Sequence, residues 1–242
     1  MSVNKVYESF DEAVADIPDG AVILLGGFGG IAPVPQNLTL ALHRKGAKDL
    51  TIVSNNAGVD GRIGLGNIGG KPYADHEILV SSGQVKKFIG SVPGSIVVSR
   101  PNALEELYRQ GKVELEIVPQ GTLAERIRAA GAGIGAFYTP TGVSTEVAKD
   151  KEIKTINGKE MILEYALKGD YALIRAHKAD TMGNLVYKGV MRTFNAVMAT
   201  AADVVIAEVD EIVELGELDP EVIVTPGIFV DRIVETSKGE IQ

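Results

Sequence analysis

Asp19-Gly20-Ala21-Val22-Ile23-Leu24-Leu25-Gly26-Gly27-Phe28-Gly29-Gly30 is the stretch whose reading decides the architecture. Asp19-Gly20 turns the chain, and residues 21–25 form an unbroken apolar run too short for a helix. Such a run is a strand covered on both faces, the kind found in parallel sheets. Behind the glycine loop stand Ile31, Ala32, Pro33 and Pro35, and then Leu38, Ala41 and Leu42 recur at helical spacing over Gln36–Lys45. Leu50–Val53 is a second apolar strand. Strand, helix and strand within about 35 residues make one βαβ unit, whose crossover is right-handed almost without exception.

The same alternation extends in both directions. Upstream, Ser9 and Glu12 form a capping box ahead of Phe10, Ala13, Val14 and Ile17, an amphipathic helix. Downstream, the pattern predicts a strand at 87–89, a helix at 103–110, a strand at 113–118, and a helix at 123–130 capped by Thr122. Residues 153–163 read as a hairpin around Asn157-Gly158, the preferred pair for a type I′ turn. Residues 171–175 and 204–208 are further short strands. No repeat, low-complexity tract or Pro/Ser-rich linker divides the chain. The expectation is therefore one α/β domain over residues 1–242, with an open, mostly parallel sheet and a small β-hairpin excursion.

Composition narrows the function by exclusion. The 242 residues include no cysteine, which rules out disulfides, thiolate metal sites and a cysteine nucleophile and fits a reducing, cytoplasmic location. With 24 basic against 32 acidic side chains, the net charge of −8 opposes nucleic-acid binding, which needs clustered Lys and Arg. The N-terminus carries acids where a signal peptide has a basic start, and no apolar run approaches the roughly 20 residues that span a bilayer. The 3 histidines, His43, His76 and His177, lack ligand spacing, so no metal site is expected. His43 falls late in the first crossover helix, where it complements the dipole, and His76 receives no role. His177, beside Lys178 and Asp180 at a strand end, is open to either a structural or a site role.

Three features sit where open sheets keep ligands. Gly27-Phe28-Gly29-Gly30-Ile31-Ala32 satisfies G-x-G-x-x-A, a dinucleotide fingerprint. Pro33 and Pro35 delay the helix, however, and Ser54-Asn55-Asn56 after the second strand offers no acid for a ribose hydroxyl. An NAD loop, a plain turn and another ligand loop all remain open on these residues. Asn55-Asn56 and Pro119-Gln120-Gly121 follow strands; each is either turn chemistry or a set of amide donors for a carboxylate or thioester carbonyl. Arg126 and Arg128, two apart on a helix, point to different faces and form no clamp. Glu114 and Glu116 alternate as on a solvated strand face.

Longer segments carry a family resemblance. DGAVILLGGFGG, VSNNAG, VPQGTLAERIRAAGAG, AFYTPTGV, ADTMGNLVY and ELGELDP…VTPGIFVDRIV resemble the A (alpha) subunit of family I coenzyme A transferases, the 3-oxoacid CoA-transferase group. The likeness covers nearly the whole chain and implies a Rossmann-like core of the CoA-transferase type. It also implies CoA transfer between an acyl-CoA and a carboxylic acid (acetoacetate, acetate, succinate or similar), with 3-oxoadipate as the alternative acid. The family reaction is a ping-pong route through a glutamyl-CoA thioester. The family's nucleophilic Glu lies in a Ser-Glu-Asn-Gly segment of the B (beta) subunit, and that tetrapeptide is absent here. By resemblance, then, this chain holds no catalytic nucleophile. It works in an α2β2 heterotetramer with the CoA-transferase B (beta) subunit, and uses CoA as a substrate rather than a tightly bound cofactor. The resemblance assigns Gly26, Gly27, Phe28, Gly29, Gly30, Ile31 and Ala32 to CoA contact, and Asn55, Asn56 and Gln120 to the acyl or carboxylate site. An NAD-dependent oxidoreductase or a non-catalytic ligand-binding domain on the same fold is the more distant alternative.

Several positions depart from the family pattern. Ala32 stands at a usual glycine, Pro33-Val34-Pro35 carries an extra residue, and Ser144 replaces another glycine. Segments 61–80 and 91–102 diverge, and 69–76 looks like an insertion. Met191-Arg192-Thr193-Phe194-Asn195 varies a stretch that normally reads Arg-Asn-Phe.

Overall fold

A computed structural model describes residues 5–28, 33–58, 67–68, 71–95 and 101–239. The chain begins with a short helix, α1 (Phe10–Ala13), then β1 (Val22–Leu25), α2 (Gln36–Lys45) and β2 (Leu50–Val53). A minimal pair, β3 (Asn67–Ile68) and β4 (Lys71–Pro72), precedes α3 (Glu77–Ser81) and β5 (Val85–Gly90). Next come α4 (Ala103–Arg109), β6 (Glu114–Ile117), α5 (Gln120–Gly131), β7 (Ala136–Thr139), β8 (Ile153–Ile156) and β9 (Lys159–Tyr165). The last third holds β10 (Gly169–Asp180), β11 (Leu185–Val186), α6 (Thr193–Met198), β12 (Ala202–Val213) and β13 (Arg232–Glu235).

The main sheet runs β13-β12-β10-β1-β2-β5-β6 with every neighbouring pair parallel, and β11 adds antiparallel to β10. The chain builds outward from β1 through β2, β5 and β6, then returns to lay β10 on the other side of β1. The strand order therefore reverses between β1 and β10, and open sheets bind ligands outside the carboxyl ends at such a point. The loop leaving β1 starts there, at Gly26.

Apolar alternation explains why the strands read as continuous runs. Ile23, Leu25, Leu50, Ile52, Phe88, Leu173 and Ile206 pack on one face against α1 to α4. Leu24, Val53, Ile89, Ala172, Ile174, Val205 and Ala207 pack on the other, with Leu123 and Ile127 of α5 and Phe194 and Met198 of α6. Each face is covered, so both parities must be apolar.

Several expected elements change shape. The first helix stops at Ala13, although Ser9 caps it by accepting from the Glu12 amide and Val14 and Ile17 are buried as expected. Pro18 disfavours helical geometry at Ile17, so the apolar pattern continues in a turn. Thr122 does not cap α5. Pro119 is the N-cap, its carbonyl accepts from Leu123 N at 2.8 Å, and Thr122 lies inside the first turn with a buried, unpartnered hydroxyl. The hairpin forms with positive φ at both Asn157 (52°) and Gly158 (75°), the type I′ geometry, and it gains β7 as a third antiparallel strand. Strands β10 and β12 each run 12 residues, well past the expected ends. Their second halves are charged, and the charges meet across the ladder: Arg175–Glu208 at 2.7 Å, Arg175–Asp210 at 2.6 Å, His177–Asp210 at 2.9 Å and Lys178–Glu211 at 2.5 Å. His177 thus has a structural partner, and His43 pairs with Gln84 at 2.8 Å beside the C-terminus of α2.

Glu114 is exposed, as a solvated strand face requires, but Glu116 is tied down. It meets Lys87 of β5 at 2.7 Å and Arg126 of α5 at 2.8 Å, while Arg126 also donates to the Tyr165 carbonyl of the small sheet at 2.8 Å. Arg128, on another face, pairs only with Glu125 among the described residues. Burial alone would raise the Glu116 carboxyl, but Arg126 and Lys87 outweigh it and hold it below its ordinary value. A carboxylate lowered on folding stabilises the protein above its unfolded pKa, about 4.3, and that contribution fades as pH falls through the lower folded value. The thermal midpoint of Glu116→Gln, measured from pH 7 to pH 3, should lie below wild type near neutrality and converge with it in acid. A gap that does not narrow with falling pH would mean the carboxylate charge contributes nothing there.

Candidate active site

Gly26 leaves β1 with its amide donating to Leu173 O of β10 at 2.9 Å. Under it lies Asn195 of α6, which has no solvent exposure. A Cβ at position 26 would fall 1.8 Å from Asn195 Oδ1, so only glycine fits. Asn195 Oδ1 accepts from Arg175 N at 3.0 Å, and Nδ2 donates to Pro33 O at 2.9 Å and Met191 O at 2.8 Å. One buried amide therefore fastens β10, the start of α6 and the far end of the glycine loop. Gly27 continues with φ of 121°, and Phe28 lays its ring edge-on to Phe194 at 6.4 Å. Gly29, Gly30, Ile31 and Ala32 lie outside the described residues.

Helix α2 begins at Gln36 without a side-chain cap of its own, because Pro35 has no polar side chain. The cap arrives from β12. Glu208, fully buried, accepts from Asn37 N at 2.9 Å, Asn37 Nδ2 at 3.1 Å and Leu38 N at 3.2 Å, and pairs with Arg175. Burial pushes its carboxyl up, against the opposing pull of Arg175 and the Asn37 and Leu38 donors. The consequence for function is direct. A dinucleotide fingerprint seats pyrophosphate on the first amides of this helix. Here the protein's own carboxylate occupies those of Asn37 and Leu38, which removes the seat an NAD site would need.

The amide residues nominated from sequence partly converge. Asn55, buried at the end of β2, accepts at Oδ1 from Gln120 Nε2 at 2.8 Å. The early start of α5 makes this possible, because it puts Gln120 in the first turn, facing across the sheet's carboxyl edge. Asn55 O also accepts from Ser91 N at 3.1 Å and Val92 N at 2.9 Å, which locks its backbone beside the end of β5. Asn56 turns away: its Oδ1 accepts from Gly58 N at 2.9 Å, an Asx turn. Its carbonyl meets His76 Nε2, so that nitrogen carries the proton, and the imidazole stacks on Phe88 at 6.5 Å. His76 thus gains a supporting role that the sequence did not show. It comes from the divergent segment, which also packs Ala74 N onto Gln36 Oε1 at 3.1 Å.

Between these pieces opens a cleft of about 200 Å³, lined by Phe28, Gln120, Gly121, Ala124, Thr193, Phe194 and Val197. Its walls are apolar, and it joins the glycine loop to the Asn55–Gln120 pair. Among the described residues no group of three His, Cys, Asp or Glu could hold a metal, and no helix is long and apolar enough to cross a membrane.

This geometry has close counterparts. Residues 7–236 match the family model described as Coenzyme A transferase. The chain is 51% identical over 235 residues to the alpha (A) chain of 3-oxoadipate CoA-transferase from Pseudomonas putida, covering 97% of this chain and 95% of the relative. It is 46% identical to the alpha (A) chain of succinyl-CoA:3-ketoacid coenzyme A transferase from Helicobacter pylori strain J99, covering 98% and 95%. An acyl-CoA transferase of Escherichia coli O157:H7, solved as a thioester complex with CoA, superposes with a TM-score of 0.78 at 26% identity, covering 96% of this chain and 47% of that one. The chain belongs to the coenzyme A transferase family. Within it, the chain is the A (alpha) subunit of a 3-oxoacid CoA-transferase, and the naming of these relatives by subunit implies a second, B (beta) chain.

Removing the Asn195 amide strands Pro33 O, Met191 O and Arg175 N in a buried site, at about 1–3 kcal/mol for each unsatisfied group. Asn195→Ala should therefore lower unfolding free energy by about 3 kcal/mol or more in urea titration. A loss under about 0.5 kcal/mol, the range of ordinary surface substitutions, would show that the loop is anchored elsewhere.

Proposed function

We propose that this protein supplies the acyl-binding and oxyanion-stabilising half of a two-chain active site, in an α2β2 heterotetramer with its B (beta) partner, in the cytoplasm. The single observation that carries the reading is the Asn55–Gln120 amide pair, set at the carboxyl ends of the strands beside the glycine loop, in a chain without the Ser-Glu-Asn-Gly segment. The substrates are an acyl-CoA and a carboxylic acid of the 3-oxoacid class, as the names of the relatives indicate.

In this reading a glutamate carboxylate of the beta partner attacks the thioester carbonyl. The C–S bond breaks, CoA leaves as a thiolate, and an acyl-glutamyl anhydride remains. The thiolate then attacks the glutamyl carbonyl of the anhydride, releasing the first acid as its carboxylate and leaving a glutamyl-CoA thioester. The second acid reverses these steps, so charge and atoms balance without an external proton. This chain's residues act on the tetrahedral oxyanion. Gln120 spends one N–H on Asn55 Oδ1, and the side-chain N–H groups left over on the two residues can point at a carbonyl oxygen. Neutral donors suit the task, because a cation would hold the free carboxylate substrate as tightly as the oxyanion and lower no barrier. Gly26, Gly27 and Phe28, with Gly29, Gly30, Ile31 and Ala32 beyond, form the CoA-contacting loop, and Asn56 shapes the turn behind Asn55.

Two outcomes are expected. Co-purified with its beta partner, the protein should exchange CoA between an acyl-CoA and an acid and carry a hydroxylamine-sensitive thioester on the partner chain; a pure complex that exchanges none removes the reading. Gln120→Ala should lower kcat by about a hundredfold or more with the melting profile kept, the size of losing one oxyanion donor. Full activity in that variant takes Gln120 out of the site.

A further inference from the structure

We propose that His76, in the divergent segment 61–80, is a positioning residue for CoA transfer: by holding the Asn56 carbonyl it aims the Asn55 side chain at the reacting carbonyl. The inference rests on the transferase reading above and adds a residue that acts through that same site.

The imidazole is fixed before it meets the site. His76 is the N-cap of α3, whose Leu79 and Val80 have no solvent exposure, and its carbonyl accepts from Leu79 N at 3.1 Å. The ring stacks on the fully buried Phe88 of β5 at an interplanar angle of 15°. The neighbours of His76 also touch the turn that follows β2. Gly58 has φ of 91°, and a Cβ there would fall 2.5 Å from Asp75 Oδ1 and 2.8 Å from Glu77 Cβ. Asp75 is steadied in turn by the Tyr73 hydroxyl and the Glu77 amide, each donating at 2.9 Å. The segment therefore braces the turn on both sides of the imidazole.

Asn55 and Asn56 are held from two directions. Beyond the end of β5, Ser91 N and Val92 N donate to Asn55 O at 3.1 and 2.9 Å. From the other direction, His76 Nε2 donates to Asn56 O. The Asn56 side chain adds nothing to this clamp, because its Oδ1 is engaged with Gly58 N inside the turn. Without the imidazole the backbone around Asn55 is fastened on the β5 side alone, and the Asn55–Gln120 pair shifts with it. Donors in a catalytic site must be held within about 0.5 Å of the productive position. A displacement of about 1 Å can cost a hundredfold in rate.

Folding alone gives little reason for an imidazole here. Nδ1 of His76 is buried and has no hydrogen-bond partner among the described residues. A buried acceptor without a donor is destabilising, and that cost offsets the gain from the Nε2 bond. An apolar side chain stacked on Phe88 would avoid the cost. What it would lack is the one N–H directed at Asn56 O.

The test uses the complete two-chain complex with acetoacetyl-CoA and succinyl-CoA as donors, and follows single-turnover formation of the hydroxylamine-sensitive thioester on the partner chain. His76→Met, an unbranched side chain that fills the space without an N–H, should lower that rate by about tenfold or more. The donor concentration for half-maximal rate should stay near that of wild type. His76→Gln, which sets an amide N–H near the place of Nε2, should restore most of the rate. In an Asn55→Ala background no side chain is left to aim, so His76→Met should there cost less than about twofold. An equal cost in both backgrounds marks a merely structural histidine and overturns the proposal. A wild-type rate in His76→Met, or a folded His76→Gln complex as slow as His76→Met, also overturns it. Nitrogen NMR of the histidine-labelled chain in the complex needs no variant: a proton on Nε2 of His76 is expected, and its absence overturns the proposal even if His76→Met fails to assemble. A wild-type complex that forms no thioester with either donor overturns the transferase reading as well, whereas thioester formation indifferent to His76→Met overturns this inference alone.

Discussion

The carboxylate of Glu208 has no contact with solvent, and much of the architecture around the site follows from keeping it satisfied. An ion taken out of water costs several kcal/mol even after relaxation, and the cost is met only where every lone pair finds a donor. Glu208 finds them in the Arg175 guanidinium, the Asn37 side chain and the first amides of α2. That requirement fixes the start of α2 against β10 and β12. Asn195 acts in parallel on the other side of the loop, gripping Pro33 O and filling the space over Gly26. The glycine loop is consequently pinned where it leaves β1 and where it enters α2. Its ends are set by groups from the last third of the chain.

The same carboxylate shapes what the site can bind. In a dinucleotide fold the amides that open the first crossover helix are left for pyrophosphate. Here they are consumed internally, and under the proposed function the donors to the ligand are instead the Asn55–Gln120 amides beside the cleft. A net charge of −8 agrees with that reading, since CoA is itself an anion and is not drawn in by the chain as a whole. In the proposed function this chain gives rigid, neutral donors and an apolar wall, and the partner delivers the nucleophile.

The sheet was legible in the sequence wherever burial alone dictated residue type. β1, α2 and β2 carry uninterrupted apolar patterns, and the observed bounds of α2 and β2 are the expected ones. Asn157-Gly158 announced its hairpin because few other pairs accept positive φ twice in succession. Beyond the expected ends at Arg175 and Glu208, β10 and β12 were not legible, since His177, Lys178, Asp210 and Glu211 look like loop residues until the parallel register pairs the two strands. The start of α5 was hidden for a related reason. Thr122 has the side chain of a cap, but Pro119, with its constrained φ and its carbonyl to Leu123, starts the helix first. Glu208 and Asn195 left no signal beyond their motifs, because a buried polar side chain is recognised only by what surrounds it.

The sequence by itself determined the alternation of strands and helices, the absence of thiol chemistry, and the presence of amide residues where strands end. Those properties depend on residue type and short-range spacing, which backbone geometry reads directly. Tertiary structure alone decided which polar groups meet. Gln120 reaches Asn55 across 65 positions, Pro33 reaches Asn195 across 162, and Asn37 reaches Glu208 across 171. Contacts at such separations depend on strand order and ladder register, and hydrophobic periodicity specifies neither. It tells each strand which faces to bury and leaves open which neighbour covers them.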